Sequence, residues 1–318
     1  MATDEHRYRR AEAALFQAAG IDPTERWVDL PTIGTSARLL EHGVGEPALF
    51  IPGGPNAAAT FAEAGAHTSG LRCLLLDRPG TGLSEPLPTA PDTQTLPGYV
   101  EQLVVDVLDA LGLDRAHLVG SSFGGYAALR AAAAHPGRVH RLLLAGCPAF
   151  VPGWTAPGFF TLLRTPVVGS FVLHTPATRG AARLSLRQMG HRHSLRTGAL
   201  TPEMLDWVRA WQRDTDTMSN DAAMISACGT RAGGFDPALD LTADELARVE
   251  APCHIIVGTD DVVGDADTAR RLADLLPDTT TEVWDRAGHL PWLDDPARFG
   301  ATATSFLAPT LASEHVFV

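Results

Sequence analysis

Residues 116–129 read AHLVGSSFGGYAAL. The opening residues have the apolar character of a buried strand, and the continuation GYAALRAAAAH is rich in strong helix formers. Two serines, Ser121 and Ser122, stand at the join between glycines. In a sharp strand-to-helix turn of the G-x-S-x-G type, the central serine sits on a strained backbone. The residues two positions to either side must then be small, because strand and helix approach closely. Ser122 has Gly120 and Gly124 at those positions, whereas Ser121 has Val119 and Phe123. The steric pattern selects Ser122 as the candidate nucleophile. The same pentapeptide would also serve as a polar helix N-cap. A phosphate-binding glycine turn fits less well, because neither G-x-G-x-x-G nor a G-K-S/T ending is present.

The surrounding chain supplies the context. Short apolar runs at 47–53, 71–77, 116–121, 141–147, 254–259 and 281–286 each have the length of a buried strand. Between them, residues 95–112 place Val100, Leu103, Val104, Val107, Leu108 and Leu111 at helical spacing and stop at Gly112. This alternation predicts an α/β fold, a mostly parallel central sheet with helices on both faces. It breaks off between about 148 and 245, where Pro, Gly and aromatic clusters replace strands. That segment reads as a helical cap inserted after the sixth strand, with 1–147 and 246–318 forming the core. An insertion there sits over the C-terminal ends of the strands, where open α/β sheets bind ligands.

Composition narrows the function. The chain has 318 residues, a net charge of −12, and 25 basic residues that are all arginine. An acidic balance argues against a nucleic-acid partner, which needs a basic face. The absence of lysine excludes a lysine nucleophile or Schiff base. The N-terminal twenty residues lack the apolar core of a leader, and no run approaches the roughly 20 apolar residues of a membrane span. Cys73, Cys147, Cys228 and Cys253 are widely spaced, and three lie in or beside apolar runs. A cytoplasmic protein with reduced thiols, no metal and no membrane partner is expected. The composition leaves the oligomeric state open.

A serine hydroxyl needs a base within hydrogen-bond reach and a carboxylate to orient that base. In this topology the partners follow in the order Ser, acid, His, at the ends of later strands. The run at 254–259 is followed at once by Asp260 and Asp261, either of which is placed to serve as the acid. The run at 281–286 is followed by Ala287, Gly288 and His289, which makes His289 the candidate base among 12 histidines. Two backbone N–H groups would have to hold the oxyanion. Phe123, the residue after the serine, supplies one. The glycine-bearing loop IPGGPNA after the third strand supplies the other.

Taken together these segments resemble the α/β-hydrolase superfamily, in its cap-bearing branch of esterases, lactonases, C–C hydrolases, haloperoxidases and aminopeptidases. The resemblance runs from about 26 to 308. Besides GSSFGG, it rests on DRPGTGLSEP (77–86), GTDD (258–261) and AGHLPWLDDPARF (287–299). The family's G-x-x-D motif puts the acid at Asp261. Its oxyanion motif, here Pro52-Gly53-Gly54-Pro55-Asn56, puts the second donor at Gly54. Pro52 replaces the family's usual histidine and Asn56 its final glycine, which, with Phe123 where tryptophan is usual, weakens a proline-iminopeptidase reading. A serine nucleophile argues against haloalkane dehalogenases and epoxide hydrolases, which use aspartate.

The resemblance implies hydrolysis of a small to medium apolar acyl compound (ester, thioester or lactone) through an acyl-enzyme, without cofactor. A C–C bond hydrolase and a cofactor-free perhydrolase keep the same triad. A small-molecule receptor with slow or no turnover is the alternative of another class, since fold does not fix function. Pro55, Trp154, Phe159, Phe160, Trp207 and Trp211 are the candidate pocket residues. His191 and His193 stand two apart, with no carboxylate cluster nearby in the sequence to complete a metal site.

Overall fold

A computed structural model describes residues 3–156, 158, 177–230 and 234–309 of the chain. Its centre is one sheet of eight strands: β1 (Thr24–Leu30), β2 (Thr35–His42), β3 (Glu46–Ile51), β4 (Leu71–Asp77), β5 (Ala116–Gly120), β6 (Val139–Ala145), β7 (Cys253–Gly258) and β8 (Thr279–Trp284). The strand order is β1-β2-β4-β3-β5-β6-β7-β8. β2 runs antiparallel to β1 and β4, and the pairs from β4 through β8 are parallel. Six strands coincide, within two residues, with the apolar runs of the sequence. β1 and β2 lie outside those runs. β1, the edge strand, buries only Val28 and Leu30, and β2 interrupts its apolar residues with Arg38, which is buried against Glu12 and Asp77, and with Glu41 and His42.

The central strands are buried on both faces, and two apolar clusters form, one on each side. Against one face the helices Leu96–Ala110 and Phe123–Ala134 pack Val100, Leu103, Tyr126 and Leu129 onto Leu118, Leu142 and Ile255. Against the other, the helices Glu5–Ala19 and Pro296–Leu307 cover Phe50, Val119, Leu143 and Ile256 with Tyr8, Phe16 and Phe299. Each apolar strand side chain removed from water contributes roughly 1.5–3 kcal/mol, so this double burial holds the sheet between its two helix layers. Cys73, Cys147, Cys228 and Cys253 are all buried free thiols.

Between β6 and β7 lie the helices Arg179–Gln188, Arg192–Thr197, Pro202–Asp214 and Thr217–Ala227, together with the short Ala243–Leu246, which spans the cap limit placed at 245/246. Thr178 and Thr201 cap two of them by accepting the backbone N–H groups of Ala181 and Met204. Among the described residues no helix is long and apolar enough to cross a membrane.

One core residue makes acid stability a test of the packing. His117 lies in β5 with the ring of His140 4.9 Å away, and neither of its ring nitrogens has a hydrogen-bond partner among the described residues. Burial, helped by His140, Arg141 and Arg115, pushes its pKa down from 6.5 to about 4. Between those values the unfolded chain binds the extra proton, so stability is present at neutral pH and is lost as the pH falls through this window. At pH 4.5 the loss attached to this group reaches about 2.5 kcal/mol. Urea midpoints at pH 7 and pH 4.5 are therefore expected to differ less in His117→Leu than in the parent. An unchanged difference would remove His117 as the source.

Candidate active site

β5 ends at Gly120, and Ser122 has φ 51° and ψ −116°, in the left-handed half of backbone space where non-glycine residues are rare. The neighbouring glycines make that bend feasible. A Cβ on Gly120 would lie 2.6 Å from the Gly124 carbonyl oxygen, and one on Gly124 only 2.0 Å from that of Ile51. Ser121 is fully buried with its hydroxyl unpartnered, while Ser122 opens onto the cavities above the sheet. The small-residue rule that selected Ser122 is thus visible as two close approaches.

His289 and Asp261 meet from the loops after β8 and β7. His289 Nδ1–H donates to Asp261 Oδ1 at 2.8 Å. The Asp261 side chain is fully buried and also accepts the backbone N–H groups of Cys147 at 3.0 Å and Val263 at 2.8 Å. Burial by itself would raise its pKa. The charge and hydrogen bond of His289, with those two N–H groups, outweigh it and hold the carboxyl below its usual 3.8. Asp260 is exposed and carries no such contact. With Nδ1 bonded to Asp261, His289 Nε2 has no hydrogen-bond partner among the described residues, and His289 lines the same cavity as Ser122.

The second loop at the site is held from beneath by Arg78, from the DRPGTGLS segment. Its Nε donates to the Pro52 carbonyl at 3.1 Å, and its Nη2 to the Gly53 carbonyl at 2.9 Å. In a trans peptide C=O and N–H point opposite ways, so anchoring the Gly53 carbonyl fixes the direction of the Gly54 N–H. Phe123 N–H is the first of its helix and has no partner within it. Asp77 of the same segment accepts Ala58 N–H at 2.7 Å and pairs with the buried Arg38 at 3.1 Å. Gly82 (φ 56°) is required beside it, since a Cβ there would fall 2.2 Å from Asp77 Oδ2.

Two contacts from the insertion reach this machinery, and neither is marked by a sequence motif. Asp221, on the helix Thr217–Ala227, accepts from Arg78 Nη2 at 3.0 Å; burial pushes its carboxyl up although Arg78 opposes this. The segment Met189–His191 grips the histidine loop. The Met189 carbonyl accepts His289 N–H at 2.9 Å, and His191 Nε2 accepts Leu290 N–H at 3.3 Å. Asp294 accepts Gly288 N–H at 2.8 Å and His191 Nδ1–H at 2.9 Å, and also receives Ser194 Oγ–H. Three successive backbone N–H groups around His289 are thereby fixed. His191 is occupied in this network, and His193 lies beside Arg196.

Two cavities meet at Gly54 and Ser122. The larger, about 500 Å³, is lined by Pro55, Trp207, Trp211 and His289, the smaller, about 40 Å³, by Phe123 and Trp154. Pro55 and the three tryptophans thus line the cavities, and Trp207 and Trp211 are also buried in the packing of their own helix. Phe159 and Phe160 lie outside the described residues.

Comparison with known proteins agrees with this architecture. Residues 48–302 match the model of the alpha/beta hydrolase family. The chain is 27% identical over 294 residues to a 2-hydroxy-6-oxononadienedioate/2-hydroxy-6-oxononatrienedioate hydrolase of Burkholderia vietnamiensis, covering 89% of this chain and 96% of that protein. It is also 27% identical over 296 residues to a 2-hydroxy-6-oxo-6-phenylhexa-2,4-dienoate hydrolase of Burkholderia cepacia, covering 90% and 96%. Among solved structures, a carboxylesterase of Bacillus subtilis superposes with a TM-score of 0.72 at 19% identity, covering 96% of this chain and 98% of its own. The protein is a hydrolase, and the chain belongs to the α/β-hydrolase family.

Proposed function

We propose that the protein is a serine hydrolase acting on carboxylic esters or closely related acyl compounds, with Ser122, His289 and Asp261 as its triad. The observation that carries this reading is the pairing of His289 with Asp261 at 2.8 Å beside a cavity shared with Ser122. In the first half-reaction Ser122 Oγ bonds to the carbonyl carbon while His289 Nε2 takes the hydroxyl proton. Asp261 keeps the imidazole in the tautomer with Nε2 free and stabilises the imidazolium. The backbone N–H groups of Gly54 and Phe123 hold the oxyanion. The carbon–oxygen bond to the leaving group then breaks, and His289 returns the proton to that oxygen. Water repeats the sequence on the acyl-enzyme, releasing the acid and restoring Ser122.

A fluorophosphonate probe is expected to label the native protein, with peptide mapping placing the adduct on Ser122. An adduct elsewhere would overturn the assignment. The names of the curated relatives favour a second reading, cleavage of a carbon–carbon bond beside a ketone by the same triad. Turnover of a 2-hydroxy-6-oxo-dienoate with inertness toward simple esters would select it.

The grip of His191 on the Leu290 N–H gives a further expectation. His191→Ala removes that acceptor, and a displaced base of this kind costs up to about 10²-fold in rate. Kinetics on a naphthyl ester should return a kcat lower by about tenfold or more with KM nearly unchanged. His191→Gln, which keeps an acceptor near the Nε2 position, should recover most of it. Equal rates in all three proteins would leave His191 with packing alone.

A further inference from the structure

The two cavities give the site a direction, an inference that rests on the serine-hydrolase reading above. A tetrahedral carbon on Ser122 has four substituents: the serine oxygen, the oxyanion, the leaving oxygen and the acyl group. The oxyanion faces the N–H groups of Gly54 and Phe123. The leaving oxygen must face His289 Nε2, which delivers its proton. His289 lines the larger cavity and is absent from the lining of the smaller one, which holds the Phe123 ring instead. Gly54 and Ser122 line both. The leaving group therefore extends into the 500 Å³ cavity, and the 40 Å³ cavity is left for the acyl group.

The small chamber also has a definite chemistry. Ala149, Phe150, Met224 and Ile225 supply apolar walls, and Asp221 is the one charged residue among its described lining. Since about 10–15 Å³ on this measure holds one water, the chamber accepts roughly three or four heavy groups. A dioate cleaved at an internal carbonyl would leave a carboxylate on its acyl part. That carboxylate would lose its hydration in an apolar chamber whose described lining offers it no free counter-charge, since Asp221 is itself an acid and already takes up the Arg78 guanidinium at 3.0 Å. We infer that the protein cleaves short, uncharged acyl groups of two to four carbons from bulky apolar leaving groups, and discriminates against the dioates for which its curated relatives are named.

The test uses constitutional isomers whose leaving alcohols have similar acidity: 2-naphthylmethyl acetate and methyl 2-naphthylacetate. The expected result is a kcat/KM at least tenfold higher for the acetate. Along the naphthylmethyl esters, kcat/KM should fall at least tenfold between the butyryl and octanoyl groups, and the hydrogen succinate should be at least tenfold slower than the butyrate. Met224→Ala, which enlarges the small chamber, should move the break to longer acyl chains. Equal or reversed rates for the isomers, or turnover of neither by a protein that still labels at Ser122, would overturn this inference and leave the serine reading standing. Absence of both turnover and labelling would overturn the two together.

Discussion

Ser122→Ala is expected to lower kcat by about 10⁴–10⁶-fold and to abolish fluorophosphonate labelling, with the fold intact. The substitution removes one oxygen and leaves the backbone at φ 51° with the same Cβ, so the close approaches at Gly120 and Gly124 are undisturbed. The residual rate then measures what the N–H groups of Gly54 and Phe123 achieve by themselves with water as nucleophile. Ser121→Ala provides the contrast: its hydroxyl is buried and unpartnered, and its loss should leave activity near the parent level. Parallel kinetics on a naphthyl ester and a thermal melt decide the matter. A Ser122→Ala protein that melts normally and retains activity would end the assignment.

Asp261→Asn should produce a loss of about 10⁴-fold through a different physical route. The amide can present its NH₂ to His289 Nδ1, which stabilises the tautomer with the proton on Nε2 and takes the base away from Ser122. The oxygen that faces His289 also accepts the Val263 N–H, while the other accepts that of Cys147, so an Asn whose NH₂ turns to His289 leaves the Val263 N–H without its acceptor. A lower melting temperature should accompany the kinetic loss. Asp260→Asn, one residue away on an exposed position, should change neither by more than about twofold in rate or about 0.5 kcal/mol in stability. If the two variants exchanged phenotypes, Asp260 would be the orienting acid.

Much of this was legible because it is local. The strand-to-helix turn at Ser122 depends on residues two positions away, and β3 through β7 announce themselves as apolar runs because both faces of those strands are largely covered. β1, on the edge, and β2, whose Arg38 is buried in ion pairs, carry charges and gave no comparable run. Arg78 stood inside a quoted segment, yet its grip on Pro52 and Gly53 links residues 26 and 25 positions apart, which spacing does not reveal. Asp221 and His191 were less legible still, since each acts 143 and 99 positions from its partner. A lone acid in TMSNDAAMISA reads as an ordinary polar position until the fold brings Arg78 against it.

The grip of Met189–His191 on the histidine loop has a consequence for how this enzyme can be rebuilt. An insertion that only roofed a pocket would be exchangeable among relatives to import new specificity. Here the same segment supplies the acceptors that seat the His289 and Leu290 N–H groups, and Asp221 completes the anchorage of Arg78 on Gly53. A chimera carrying a foreign insertion would loosen the loops that carry His289 and Gly54 together, whatever its pocket looked like. A productive graft therefore has to keep Met189, His191 and Asp221 in register with the core that they hold.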